Sequence, residues 1–170
     1  MKKILVIVAI VFGLILSALL ILNAFTNLEL ETEVVFDASS EKVWEVLTDN
    51  EKYSEWNPFI ISSKGKMELG ARITNVMVNQ GSENTFTPII TIYKENEILE
   101  WFGSGLVGTF KGTHYFKLTE TADGKTKMLH GEKFSGLLSG LIMQMIAHDT
   151  HANFGLMNEA FKKRVEEVTN

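Results

Sequence analysis

The chain contains no cysteine. That absence excludes disulfides, thiolate metal sites and cysteine nucleophiles together. It is compatible with either side of a membrane, so it sets no compartment. Proline is almost as scarce: Pro58 and Pro88 are the only two, and neither a low-complexity linker nor an internal repeat interrupts the chain. Charge of one sign is missing from each part of the chain's start: residues 1–22 hold no acid and residues 23–33 no Lys or Arg. Elsewhere acid dominates. The net charge is −5, and the excess grows once Lys2 and Lys3 at the extreme N-terminus are set aside. An acidic domain is a poor partner for nucleic acid or anionic headgroups, and no nucleic-acid role is expected.

The first feature present is an apolar run. Ile4 to Leu22 is broken only by Gly13 and Ser17. As a helix it would be about 28 Å long, close to the roughly 30 Å hydrocarbon core of a bilayer. A cleaved signal has a shorter core, and the best small-x-small site here, ending at Ala24, places Leu22 at its minus-three position. We therefore expect residues 1–24 to be an uncleaved single-pass anchor in the cell membrane and residues 25–170 to be one domain. Lys2 and Lys3 should keep the N-terminus cytoplasmic and the domain outside.

The last third dominates that domain. Leu138, Ile142, Ile146, Thr150, Phe154, Met157, Phe161, Val165 and Val168 recur at spacings of three and four, one stripe of a long helix. A helix of roughly 30 residues would run about 45 Å and needs a broad surface to cover it. Residues 28–135 supply strands. Leu28, Leu30, Thr32, Val34 and Phe36 alternate with Glu29, Glu31 and Glu33. Ser39 or Ser40 caps a short helix carrying Val43, Trp44, Val46 and Leu47, and a second short helix over Glu51–Trp56 stops before Pro58. Strands follow at Ala71–Asn79, Thr85–Tyr93, Ile98–Phe102, Thr109–Thr119 and Lys125–Ser135, with a poorer one at Phe59–Met67. Gln80-Gly81-Ser82 makes a turn, and Pro88 points to an edge or a bulge.

This order, with Val43-Trp44-Glu45-Val46-Leu47-Thr48-Asp49, Tyr53 and Trp56-Asn57-Pro58-Phe59, resembles the SRPBCC (START-like, helix-grip) superfamily. Within it the chain is most similar to bacterial polyketide cyclase/dehydrase-like members. Gly112-Thr113-His114-Tyr115-Phe116, the run His130 to Gly136, and Met157 to Lys162 extend the likeness over about residues 28–168. The resemblance implies an α+β helix-grip fold, with a curved antiparallel sheet of six to seven strands on a long C-terminal helix. It also implies a deep, mostly apolar cavity that binds lipids, steroids or polyketides and in a minority of members supports catalysis.

Strand register selects the polar groups of that cavity. Phe110, Gly112, His114, Phe116 and Leu118 share one face of their strand, and Met128, His130, Glu132 and Phe134 share one face of the next. A three-residue loop Ala122-Asp123-Gly124, with Gly124 left-handed, sets His114 opposite Glu132 and Phe116 opposite His130. A buried His–Glu couple can be a satisfied polar pair, a ligand-orienting anchor or an acid–base pair. The expected cavity set is Trp44, Trp56, Trp101, Phe110, His114, Phe116, His130, Glu132, Phe134, Phe154 and Met157. His114 and Glu132 are the candidates for catalysis.

His148, Asp149 and His151 lack the i, i+4 spacing of helical metal ligands, and His148 points nearly opposite to the stripe. Gly103, Gly105 and Gly108 precede a strand rather than a helix, unlike a phosphate loop. No metal and no cofactor is expected. The apolar run Leu137 to Ile146 reads as a buried helix start, a cavity lid or a surface touching the bilayer. The leading expectation is a membrane-tethered binder of a small hydrophobic ligand. A cyclase/dehydratase-type enzyme and a tethered protein-interaction module are the alternatives.

Overall fold

A computed structural model describes residues 1–79 and 81–169. An N-terminal helix α1 (Lys2–Phe25) is followed by strand β1 (Glu29–Phe36), helix α2 (Ser40–Thr48), a 3-10 turn (Asn50–Lys52) and helix α3 (Tyr53–Trp56). Strands β2 (Ile60–Lys64), β3 (Thr74–Asn79), β4 (Ser82–Phe86), β5 (Ile89–Lys94), β6 (Ile98–Gly105), β7 (Phe110–Glu120) and β8 (Thr126–Ser135) come next. Helix α4 (Ser139–Thr169) closes the chain. With 31 residues, α4 is about 46 Å long. This is the expected α+β helix-grip arrangement.

The strands form two sheets. Five lie in the order β1-β8-β7-β6-β5 and three in the order β2-β3-β4, all antiparallel. The single sheet expected from the sequence is thus divided, and Pro88 marks the division. Thr85–Tyr93 is not one strand with an edge or bulge at Pro88. It breaks into β4 and β5, because proline offers no N–H to a ladder. A bridge between Arg72 and Ile89, with the Ile90 N–H bonded to the Ala71 carbonyl at 2.9 Å, joins the sheets at this point. Gln80, the first residue of the expected turn, lies outside the described residues.

Alternation builds the core. The even positions of β1 point inward and end on Phe36, which meets Phe161 of α4 edge to face at 5.0 Å. Ser39 caps α2 by accepting from the Lys42 N–H, and Val43 and Leu47 of α2 are wholly buried. Ile90, Leu99, Phe116 and Met128 from the larger sheet complete the cluster with Met157, Phe161 and Val165 of α4. Val168, the last residue of the expected stripe, is half exposed.

The outer face of β7 and β8 has its own packed residue. Tyr115 is buried although it points away from the core. Its cross-strand partner is Gly131, where a Cβ would collide with the tyrosine ring. The Tyr115 hydroxyl lies 2.8 Å from Glu29 and 2.7 Å from Glu31, and Lys117 sits over the ring at 4.2 Å. Burial and these carboxylates push its pKa up.

Helix α1 has no fully buried residue, and it is long and apolar enough to cross a membrane, with a mean hydropathy of 3.3. Its last turns are nevertheless tied to the domain. Asn23 Nδ2 donates to the carbonyls of Gly136 (3.0 Å) and Leu137 (3.3 Å), and Asn23 Oδ1 accepts from the Gly140 N–H. Further on, Gln144 Nε2 donates to Thr26 Oγ1 at 3.3 Å. Both contacts advance in the same direction, so α1 and the start of α4 run side by side and parallel. Gly140 makes the approach possible, since a Cβ there would come within 2.7 Å of Asn23 Oδ1 and 2.9 Å of the Leu22 carbonyl carbon.

Candidate functional site

A cavity of about 380 Å³ lies between the two sheets and α4. Met77, Asn84 and Phe86 of β3 and β4 form one wall, with Phe59 and Ile60 beside them. Trp101, Phe110, His114, Glu132 and Phe134 of β6, β7 and β8 form the floor, and Ile146, Thr150, Asn153, Phe154 and Met157 of α4 form the other wall. Asn84 is exposed while Trp101 and Phe134 are buried, so the space runs from the surface to the interior. This volume falls within the range of roughly 300–1,000 Å³ typical of small-molecule sites. A second depression of about 160 Å³, around Asp49, Lys52, Trp56 and Arg164, offers less than half that space and is rimmed by charge.

Of the residues singled out from the sequence, Trp101, Phe110, His114, Glu132, Phe134, Phe154 and Met157 line the cavity together. Trp44, Trp56, Phe116 and His130 do not. Trp44 packs edge to face on Tyr93 at 5.1 Å, on the side of the sheet held by α2. Trp56 stacks on Phe161 at 5.0 Å and belongs to the smaller depression. Phe116 is inward but lies beneath His130, with the rings stacked at 4.6 Å, and both are fully covered. Position along a strand selects a face, but depth on that face depends on what lies over it. His148 and His151 are exposed on α4.

The register read from the Ala122-Asp123-Gly124 loop is the one present. His114 pairs with Glu132 and Phe116 with His130, and Gly124 has φ +77°. His114 lies flat on Trp101, with centroids 4.8 Å apart and an interplanar angle of 1°. Phe154 of α4 covers both imidazoles, stacked on His130 at 4.2 Å and edge to face with His114 at 5.3 Å. Glu132 needs room, and Gly112 provides it: a methyl at that position would overlap Glu132 Oε1.

Behind this pair runs a chain of hydrogen bonds whose direction is set by one backbone group. The Thr32 hydroxyl donates to the His130 carbonyl at 3.2 Å, which uses its only hydrogen. Thr32 Oγ1 therefore accepts from Asn158 Nδ2 at 2.9 Å. This turns Asn158 Oδ1 toward His130 Nδ1, 2.7 Å away, and an amide oxygen requires that nitrogen to donate. Burial, reinforced by charge on His114, holds the His130 pKa well below the usual imidazole value, against the bond to Asn158. The ring is neutral, so its Nε2 is a lone pair and accepts from His114 Nε2–H across 3.0 Å.

His114 Nδ1 then faces Glu132 Oε2 at 3.4 Å. Glu132 is thus the outermost member of the oriented chain, with its carboxyl group on the cavity wall. Periodicity did not reveal Asn158 or Thr32. The signals were a polar residue beside Met157 on the inward side of α4 and a threonine among the apolar inward positions of β1.

Residues 27–166 match the family model described as polyketide cyclase / dehydrase and lipid transport. The chain belongs to this family. Solved structures share its fold at low identity. An aromatase/cyclase from Streptomyces superposes with a TM-score of 0.69 at 14% identity, covering 84% of this chain and 95% of that one. A START superfamily protein from Mycobacterium smegmatis gives a TM-score of 0.64 at 19% identity, covering 82% and 98%. A protein from Thermus thermophilus gives 0.68 at 15% identity, covering 84% and 99%. Among curated proteins, none matches the sequence significantly. At these identities the neighbours of this polyketide cyclase/dehydrase family member establish its architecture, and the ligand must be argued from its own cavity.

Proposed function

We propose that this protein is a membrane-anchored binder of a small hydrophobic ligand, with α1 as an uncleaved anchor. The cavity between sheet and α4 would hold the apolar body of the ligand, and Glu132 with His114 would orient one polar group on it. The observation that carries this reading is the distribution of polarity in the cavity. Its walls are mostly aromatic and aliphatic, with Asn84, Thr150 and Asn153 among them, and at its floor an oriented polar chain ends on Glu132. Such a site suits a lipid or polyketide-like molecule bearing a hydroxyl, carbonyl or carboxyl group. The anchor reading rests on the length and apolarity of α1 and on Asn23, which keeps the helix as part of the fold.

Native mass spectrometry of the detergent-extracted full-length protein tests both parts. The expected spectrum shows full chain mass with a stoichiometric apolar molecule that can be released and identified. An empty protein that no apolar ligand stabilises against heat would overturn the binding reading. A mass lacking residues 1–24 would overturn the anchor.

A second reading is favoured by the contact of His114 Nδ1 with Glu132 Oε2 at 3.4 Å on the cavity floor. A histidine and a carboxyl group placed together at the edge of an apolar cavity can act as general acid and base on a bound carbonyl, as a cyclase or dehydratase requires. Glu132→Gln should then abolish turnover of a bound polyketide-like substrate while its affinity survives. Unchanged turnover would exclude this chemistry.

A further inference from the structure

Two uncharged stretches meet where α1 reaches the domain. Residues 101–110 and 134–147 carry no ionisable side chain in a chain whose net charge is −5. They are bonded to each other, with the Leu138 N–H donating to the Thr109 carbonyl at 2.9 Å. The second stretch is bonded to Asn23 through Gly136, Leu137 and Gly140. At this junction the domain exposes apolar side chains. Leu106, Val107, Leu141 and Met145 face outward, Val107 without any cover. Phe25, at the end of α1, is also exposed, in the position of an interfacial aromatic. Leu106 and Val107 both hold left-handed backbone, with φ of 48° and 55°, a conformation that is unfavourable for a β-branched residue. The fold therefore holds two apolar side chains in water in a strained turn, where relaxed backbone and polar residues would serve a simple connection better.

The cavity walls lead to the same rim. Phe110 lines the cavity three residues after Val107, and Ile146 lines it one residue after Met145. Along α4, Phe154 over the His114 ring lies about 20 Å from Leu141. The rim thus forms the end of the cavity nearest the anchor.

We infer that Leu106, Val107, Leu141 and Met145 are immersed in the lipid layer crossed by α1, so that the cavity exchanges ligand with the bilayer. The inference rests on the anchor reading. It commits to a lipid surface because the exposed patch is continuous with the end of the apolar helix and bonded to it through Asn23. Its lack of charge also spares the acidic domain a cost at anionic headgroups.

The cysteine-free chain permits a direct test. Single variants Val107→Cys, Met145→Cys, Ala122→Cys and Ile10→Cys carry an environment-sensitive fluorophore in the full-length protein. Each is reconstituted into phosphatidylcholine vesicles whose acyl chains are brominated. Ala122 is exposed in the turn at the far end of β7, about 33 Å from Phe110, and Ile10 reports on the anchor. Quenching at Val107 and Met145 should exceed that at Ala122 by several-fold, with Ile10, deep in the span, quenched most. Val107 and Met145 quenched no more than Ala122, with Ile10 quenched, overturns the inference and leaves the anchor standing. An unquenched Ile10 overturns the anchor and the immersed rim with it.

Discussion

His114 Nε2 stands 3.0 Å from His130 Nε2, and the hydrogen between them belongs to His114. The assignment is remote in origin: the His130 carbonyl orients Thr32, Thr32 orients Asn158, and Asn158 fixes the His130 tautomer. Asn158→Leu should therefore act at two levels. It removes partners from the buried His130 Nδ1–H and from Thr32, at a cost of about 1–3 kcal/mol per orphaned group. It also frees His130 to take the other tautomer. Urea unfolding should show the loss, and the imidazole nitrogen shifts of His114 in NMR should move with it. A stability loss with unchanged His114 shifts would mean that the chain does not transmit direction.

The pH dependence has a defined sign. An unfolded imidazole binds a proton below about 6.5, whereas burial lowers the His130 value well below that. Between the two values the unfolded chain holds more protons, so stability rises with pH through that window. The contribution is complete above about 6.5 and is lost as pH falls toward the folded value, by up to about 1.4 kcal/mol per pH unit. Urea midpoints measured from about pH 7.5 down to about pH 5 should decline in the native protein and flatten in His130→Gln. Carboxylates such as Glu29 and Asp37, whose pKa values are held low, act in the same direction and remain in the variant.

Gly112→Ala tests the space around Glu132. The added methyl overlaps Glu132 Oε1, so the carboxylate must swing out of its place beside His114. Affinity for a ligand with a polar end should fall roughly ten-fold, equivalent to one hydrogen bond of about 1.4 kcal/mol. A matched hydrocarbon lacking that polar group should bind unchanged. Equal losses for both ligands would point to a collapsed cavity instead.

Gly140→Leu addresses the junction of the two long helices. No rotamer of leucine fits between α4 and the Leu22–Asn23 backbone. Hydrogen exchange at residues 139–145 should accelerate by at least ten-fold while β7 and β8 keep their protection. Protection unchanged at the junction would show that α1 does not dock there.

Much of this architecture is legible in the residues themselves. The alternation in β7 and β8, with the three-residue loop Ala122-Asp123-Gly124 read in place of a two-residue turn, gives the His114–Glu132 pairing before any coordinates. The stripe from Leu138 to Val165 likewise declares the long helix. What escapes is depth and partnership. Phe116 and Phe110 share one face of β7, yet Phe116 lies under His130, itself covered by Phe154 of α4, while Phe110 borders the cavity. Asn158 resembles any polar residue at the margin of a helical stripe until Thr32 is seen across from it. Pro88 announces a disruption, but only the Arg72–Ile89 bridge shows that the disruption is a change of sheet. Asn23 is one polar residue at the end of an apolar run, and its partners lie more than a hundred positions away.

Only Thr26, Asn27 and Leu28 separate α1 from β1, a connection of about 10 Å at full extension. With the Asn23 contacts added, the tether has no slack. With α1 set in a bilayer, as proposed, a domain mounted this way would neither swing nor reach across a gap to a second membrane. Its cavity would keep a constant height and heading above that bilayer. A ligand would then arrive by diffusion in or along that surface and depart by the same route, which suits sampling or retention within one membrane better than transport between two.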